Sequence, residues 1–220
     1  MANNLEPVVN AQTPPAESLN LWQQIVEDWV AHGKDWTKPG FRAVAVHRFG
    51  VWRMGIKFRV IRVPFSIFYR MLFRKVRNTY GIELPYTVKL GRRVIIEHQS
   101  AIVIHGSCEI GDDCIIRQGV TLGNRYLEKP LEAPKLGVKV NVGAGAKIFG
   151  NVTIGDASNI GANAVVLSDV PAGATVVGIP AKVIRKKDCN TLDDGLELWM
   201  PSINLSELTS STNETSKAGS

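Results

Sequence analysis

Cysteine is scarce in this chain, with three among 220 residues and no C-x-x-C pair. That excludes a disulfide-stapled scaffold and points to reduced thiols in a cytoplasmic protein. Long apolar runs are missing as well. Nothing approaches the roughly 18–20 uncharged apolar residues of a membrane-spanning helix. The first 33 residues contain no Lys or Arg, so the basic start of a secretory signal is absent too. Acid is missing where base is dense: residues 40–93 hold thirteen Lys/Arg and one acid, Glu83, within a chain of net charge +6. Such a block suits nucleic acid, a membrane surface or an anionic ligand. Nothing in it resembles a nucleic-acid-binding module, so no nucleic acid is expected. Two readings remain, arginine stems packed over interleaved aromatics and peripheral contact with an anionic membrane at its inner face. With 45% hydrophobic and 21% charged residues, global disorder is excluded.

The chain divides by pattern. Residues 1–16 carry Pro, Asn and Gln without periodicity and read as a disordered arm. Residues 17–81 read as a small α-helical region. Leu19, Trp22, Ile25, Val26, Trp29 and Val30 recur at helical spacing between a Ser18 cap and a Gly33 stop. Two further helices are predicted over 41–57 and 64–80, the latter opened by Pro64 and closed by Gly81.

From residue 82 the period becomes six. Aliphatics stand at Ile104, Ile110, Ile116 and Leu122, and again at Leu136, Val142, Ile148, Ile154, Ile160 and Val166. Small or β-branched residues follow four positions later, at Cys114, Val120, Ala146, Val152, Ser158 and Ala164. A period of six fits neither a helix nor a simple alternating strand. It fits a left-handed parallel β-helix in which three short strands make each coil, with aliphatics inside and glycine or small residues at the corners. The class is therefore mainly β, a β-helix over 82–187 preceded by the helices. An extruded loop is expected at about 123–135, and a flexible tail from 188 to 220. A second interruption, a two-residue phase slip between Ile96 and Ile104, contains Glu97-His98.

The segments PGFRAVAVHRFGVWR, IIEHQSAIVIHG, IGDDCIIRQGVTLGN and GIPAKVI resemble the hexapeptide acyltransferases, within them the serine acetyltransferase group. The resemblance implies a homotrimer that binds acetyl-CoA in the groove between neighbouring prisms. It places the family's catalytic acid–His pair on Glu97-His98, a second active-site acid on Glu83 and, more loosely, an acceptor-binding acid on Asp35. Asn124 and Arg125 of the loop join Asp35 as acceptor-binding candidates. Where serine enzymes carry Arg-His-Pro, this chain reads Glu132-Ala133-Pro134. The GDDCIIRQGVTLGNR version looks more like the exopolysaccharide, colanic-acid-type branch. A sugar hydroxyl is accordingly the expected acceptor, L-serine the alternative, and a catalytically silent scaffold in a polysaccharide-synthesis complex the reading from another class.

Acetyl transfer to a hydroxyl needs a base for the alcohol proton, and a histidine titrating near neutrality suits it. His98 is given that role, with Glu97 or Glu83 fixing its tautomer. His105 reads as a surface residue, and Cys108 and Cys114, six apart, as packing. Ala144 and Ala162 match family positions where pantetheine lies along backbone, and Lys182 and Lys187 offer cations for the CoA phosphates. Two coil histidines do not make a three-His zinc site, so no metal is expected.

Overall fold

The fold is a computed structural model in which residues 19–186 are described. The arm at 1–16, Lys187 and the tail at 188–220 lie outside the described residues. Three helices come first. α1 (Leu21–Ala31) starts at a capping box: the Asn20 side chain accepts from the Gln23 N–H, and the Gln23 side chain from that of Asn20. The cap is Asn20 rather than Ser18. α2 (Pro39–Met54) opens with proline at its first position, where the missing N–H has no intrahelical partner to lose. α3 (Arg59–Tyr80) closes on left-handed Gly81, φ 64°. It begins before Pro64, the predicted first residue, because that proline leaves only the Val60 carbonyl unpaired. Val60 is 86% exposed, and water can satisfy it.

From Ile82 the chain winds into a three-sided left-handed β-helix. The first coil has β1 (Ile82–Glu83), β2 (Lys89–Leu90) and β3 (Ile95–Ile96). The second has β4 (Ile102–Ile104), β5 (Glu109–Ile110) and β6 (Ile115–Ile116). The third has β7 (Thr121–Gly123), β8 (Lys135–Leu136) and β9 (Asn141–Val142). The fourth has β10 (Lys147–Phe149), β11 (Thr153–Ile154) and β12 (Asn159–Ile160). β13 (Val165–Val166) and β14 (Ala174–Val177) begin a fifth, and β15 (Lys182–Lys186) returns antiparallel to β14. Equivalent strands stack into three sheets, parallel throughout except for that last pair. Regular partners such as Ile148 and Val166 lie 18 residues apart. The first step, Ile82 to Ile102, takes 20, and the step containing the loop, Ile116 to Val142, takes 26. The phase slip thus adds two residues and the extruded loop eight.

All ten periodic aliphatics are at most 4% exposed. The small residues four positions on are buried as well, which corrects their assignment to the corners. For five of the six the corner belongs to the residue just before: Asp113, Ala157 and Asn163 have φ between 54° and 59°, and Gly119 and Gly145 have φ 73°. Lys139, φ 58°, does the same before buried Val140, while Gly150, φ 88°, stands two before Val152. A single left-handed residue turns the chain through the corner, so the next side chain faces the interior.

The first coil has no coil beneath it, and the helices complete its edge. His47 Nε2 donates to the Val88 carbonyl at 3.0 Å, and the Arg48 guanidinium donates to the carbonyls of Leu90 (2.8 Å) and Gly91 (2.5 Å). The Ile96 N–H donates to His32 Nε2 at 3.3 Å. Arg48 also pairs with buried Asp28 of α1 at 2.8 Å, and Arg92 of the first coil with Glu27. Ala43 and Val44 of α2 join the prism core. Part of the basic block is therefore structural, with the Arg48 guanidinium and the His47 imidazole standing in for strand N–H groups.

Candidate active site

β3 ends at Ile96, and the two extra residues of this coil follow it. His98, Ser100 and Ala101 all take left-handed conformations, φ 65°, 89° and 54°. Each costs on the order of 1–2 kcal/mol for a non-glycine residue. The surroundings hold them there: Ser100 N–H donates to the Tyr80 carbonyl at 2.8 Å, Ile102 N–H to that of Gly81 at 3.0 Å, and Gly119 N–H to that of Ser100 at 2.9 Å. The end of α3 and the second coil thus clamp a strained segment, the kind of backbone that concentrates at functional sites. The His98 side chain is exposed, and Glu83, paired in register with Val103, is half-buried.

Glu97 is engaged by a residue that sequence reading missed. Arg117 Nε lies 2.8 Å from its carboxylate, and the same guanidinium reaches Asn141 on the next coil. The signal is the register itself. Ile96 pairs with Ile116, so the residues just after them, Glu97 and Arg117, stack on one edge.

Asp35 lies in the α1–α2 connection. It accepts from the Thr37 N–H (2.8 Å) and hydroxyl (2.5 Å), and these bonds hold its carboxyl below the usual carboxylate range. Both flanks of this connection meet Ile96: His32 through its ring, and Gly40 so closely that a Cβ would collide with the Ile96 carbonyl. The connection is thereby anchored beside the strand that leads into Glu97-His98. His105, after β4, accepts the Ser107 N–H on Nδ1 at 3.3 Å. In the extruded loop Asn124 donates to the Tyr126 carbonyl at 3.0 Å, the Arg125 guanidinium lies 5.3 Å from the Tyr126 ring, and Lys129 pairs with Glu132.

Ala144 and Ala162 stand one coil apart on the same corner. The Asn163 N–H donates to the Ala144 carbonyl at 2.8 Å, and a Cβ on Gly143 would come within 2.6 Å of the Ala162 nitrogen. Lys182 is exposed at the start of β15. Burial pushes the Cys108 and Cys114 thiols up to about 12, so both are inert at neutral pH. Among the described residues no three His, Cys, Asp or Glu side chains gather as a metal site requires.

No family model matches the chain. Individual proteins do. A serine acetyltransferase of Helicobacter pylori (strain J99) is 48% identical over 173 residues, covering 77% of this chain and 96% of that protein. One from Synechococcus elongatus is 41% identical over 148 residues, covering 67% of this chain and 58% of the relative. The chain spans 63% of the length of a third, from Staphylococcus xylosus. Among solved structures, the serine acetyltransferase of Brucella abortus in complex with coenzyme A superposes with a TM-score of 0.63 at 27% identity, covering 77% of this chain and 68% of that one. That of Neisseria gonorrhoeae gives 0.64 at 28% identity, covering 76% and 66%. With a relative matched over nearly its whole length and the same three-sided prism, the chain belongs to the serine acetyltransferase family of hexapeptide-repeat acyltransferases.

Proposed function

We propose that this chain transfers the acetyl group of acetyl-CoA to the hydroxyl of L-serine. The observation that carries the reading is the 48% identity to a serine acetyltransferase spanned over 96% of its length. It moves the acceptor from the sugar expected from the GDDCIIRQGVTLGNR version to the amino acid. His98, exposed on a strained edge, takes the hydroxyl proton as the oxygen attacks the thioester carbonyl. The tetrahedral intermediate collapses, expelling the CoA thiolate, and the protonated imidazole returns the proton to sulfur. Glu83 fixes the imidazole tautomer, while Arg117 holds Glu97 in place. A backbone N–H at a coil corner meets the oxyanion. Acetyl-CoA lies along the Ala144–Ala162 corner with its phosphates toward Lys182 and Lys187, in a groove completed by a neighbouring prism of a homotrimer. Asp35, Asn124 and Arg125 contact the acceptor.

The test is thiol release from acetyl-CoA, comparing L-serine with nucleotide sugars. Turnover with L-serine that falls about 10²–10⁴-fold in His98→Ala supports both acceptor and base. Turnover that survives the substitution removes His98 from the mechanism, and no turnover with any acceptor favours the scaffold. A sugar acceptor remains the second reading on one observation. Glu132, paired with Lys129, and buried Ala133 occupy the positions where the family's loop carries an Arg-His pair for the serine carboxylate. Turnover with a nucleotide sugar alone would select it.

A further inference from the structure

α3 carries two apolar stripes. Tyr69 and Val76 lie on its inner face and are buried. Val60, Val63, Ile67 and Met71, spaced three and four apart, stay exposed at 86, 47, 56 and 59%, with Phe58 and Ile61 exposed beside them. A surface helix of a globular domain normally presents polar residues on that face. Cations border the outer stripe: residues 57–80 hold seven Lys/Arg and no acid.

At the start of the helix a cavity of about 390 Å³ is lined by Arg53, Arg59, Arg62 and Arg70, with Ser66 and Tyr86. Arg53 is 7% exposed. Its guanidinium lies 4.4 and 4.5 Å from the ring centroids of Tyr69 and Tyr86 and donates to Ser66 Oγ at 2.8 Å. Its Nε is buried without a hydrogen-bond partner among the described residues. Four guanidinium groups gathered without a carboxylate suit a multivalent oxyanion such as a phosphate.

We infer that the outer stripe of α3 and the four-arginine pocket together form a docking face for an anionic bilayer, the stripe seated at the headgroup–acyl boundary and a lipid phosphate held in the pocket. Charge selects this occupant. A second copy docking through the same segment would bring its seven cations and no acid against these, and free phosphate would leave the apolar stripe uncovered. The association is peripheral, since among the described residues no helix is long and apolar enough to cross a membrane.

Co-sedimentation of the full chain with vesicles of phosphatidylcholine, alone or mixed with phosphatidylglycerol, tests the inference. The chain should pellet only with the mixed vesicles and be released by high salt. Ile67→Glu/Met71→Glu and Arg59→Gln/Arg70→Gln alter exposed side chains away from the proposed catalytic edge. Each pair should retain the parent's circular dichroism and acetyl-transfer rate while weakening vesicle binding by at least about tenfold. Vesicle binding unchanged in both pairs overturns the inference. So does calorimetric binding of inorganic phosphate by a chain that ignores anionic vesicles, which would assign the pocket to a free anion. A parent that ignores vesicles but loses an assembly, seen by light scattering, in Ile67→Glu/Met71→Glu would assign the stripe to a second copy.

Discussion

Arg48 serves four acceptors at once: both carboxylate oxygens of Asp28 and the carbonyls of Leu90 and Gly91. Asp28 is 1% exposed, and burial raises its carboxyl above the usual range even with Arg48 drawing it down. Replacing Arg48 with Met strands that carboxyl and two edge carbonyls, and should cost about 3–5 kcal/mol in urea unfolding. Arg48→Met/Asp28→Leu should recover part of the loss, because the stranded charge is gone. The neighbouring His47 gives a pH dependence. Burial and the adjacent Arg48 lower its pKa to about 4, against the hydrogen bond to Val88. The unfolded chain takes up the proton near 6.5, but folded His47 resists it until about 4. Stability present above pH 6.5 therefore drains as pH falls through that window, by about 3 kcal/mol in all. His47→Gln can keep a donor for Val88 without titrating, so its melting temperature should fall less steeply between pH 6.5 and 4 than the parent's. Equal slopes would assign the acid sensitivity elsewhere.

Among the elements, the β9–β12 corner is tightly packed. A Cβ on Gly143 would stand 2.6 Å from the Ala162 nitrogen and 2.7 Å from the Ile160 carbonyl. Gly143→Val should therefore lower stability by about 1–3 kcal/mol. If the corner carries acetyl-CoA, the variant raises KM for the donor more than it lowers kcat, and an unchanged KM would separate corner from donor. The coils themselves were legible in the sequence because interior burial forces an aliphatic at every sixth position, and nothing else in a chain produces that period. The corners were harder to read. Left-handed backbone is tolerated by Asp113, Lys139, Ala157 and Asn163 as well as by glycine, so no single residue type marks them. The start of α3 was misread because a proline in an exposed turn costs one solvated carbonyl rather than a helix. The pairing of Glu97 with Arg117 depends on a register of 20 residues, which the phase slip implied but which only strand pairing fixes.

At the scale of the whole molecule, counting charge located the basic block but not its division of labour. Arg48 faces inward to complete the first coil, Arg92 of that coil reaches back to Glu27 of α1, Arg53 packs against two tyrosine rings, and Arg59 and Arg70 are exposed. Direction is set by helix phase and by which carbonyls the first coil leaves open, and composition carries neither. The candidate site was partly legible, since Glu97-His98 sits where the hexapeptide phase breaks, and a regular prism does not tolerate such a break without an outward segment.

The two ends of the prism also determine what the protein cannot become. A stack of parallel coils is a growing template, and each free edge invites the next coil, from this chain or from another. Here one edge is occupied by His47, Arg48 and His32, and on one side of the other end β15 runs antiparallel to β14, against the direction a further coil would take. Deleting residues 182–186 should uncover β14 and turn a discrete assembly into one that polymerises end to end, seen as rising light scattering with thioflavin fluorescence. A truncated chain that stays discrete would show that the helical end alone terminates growth.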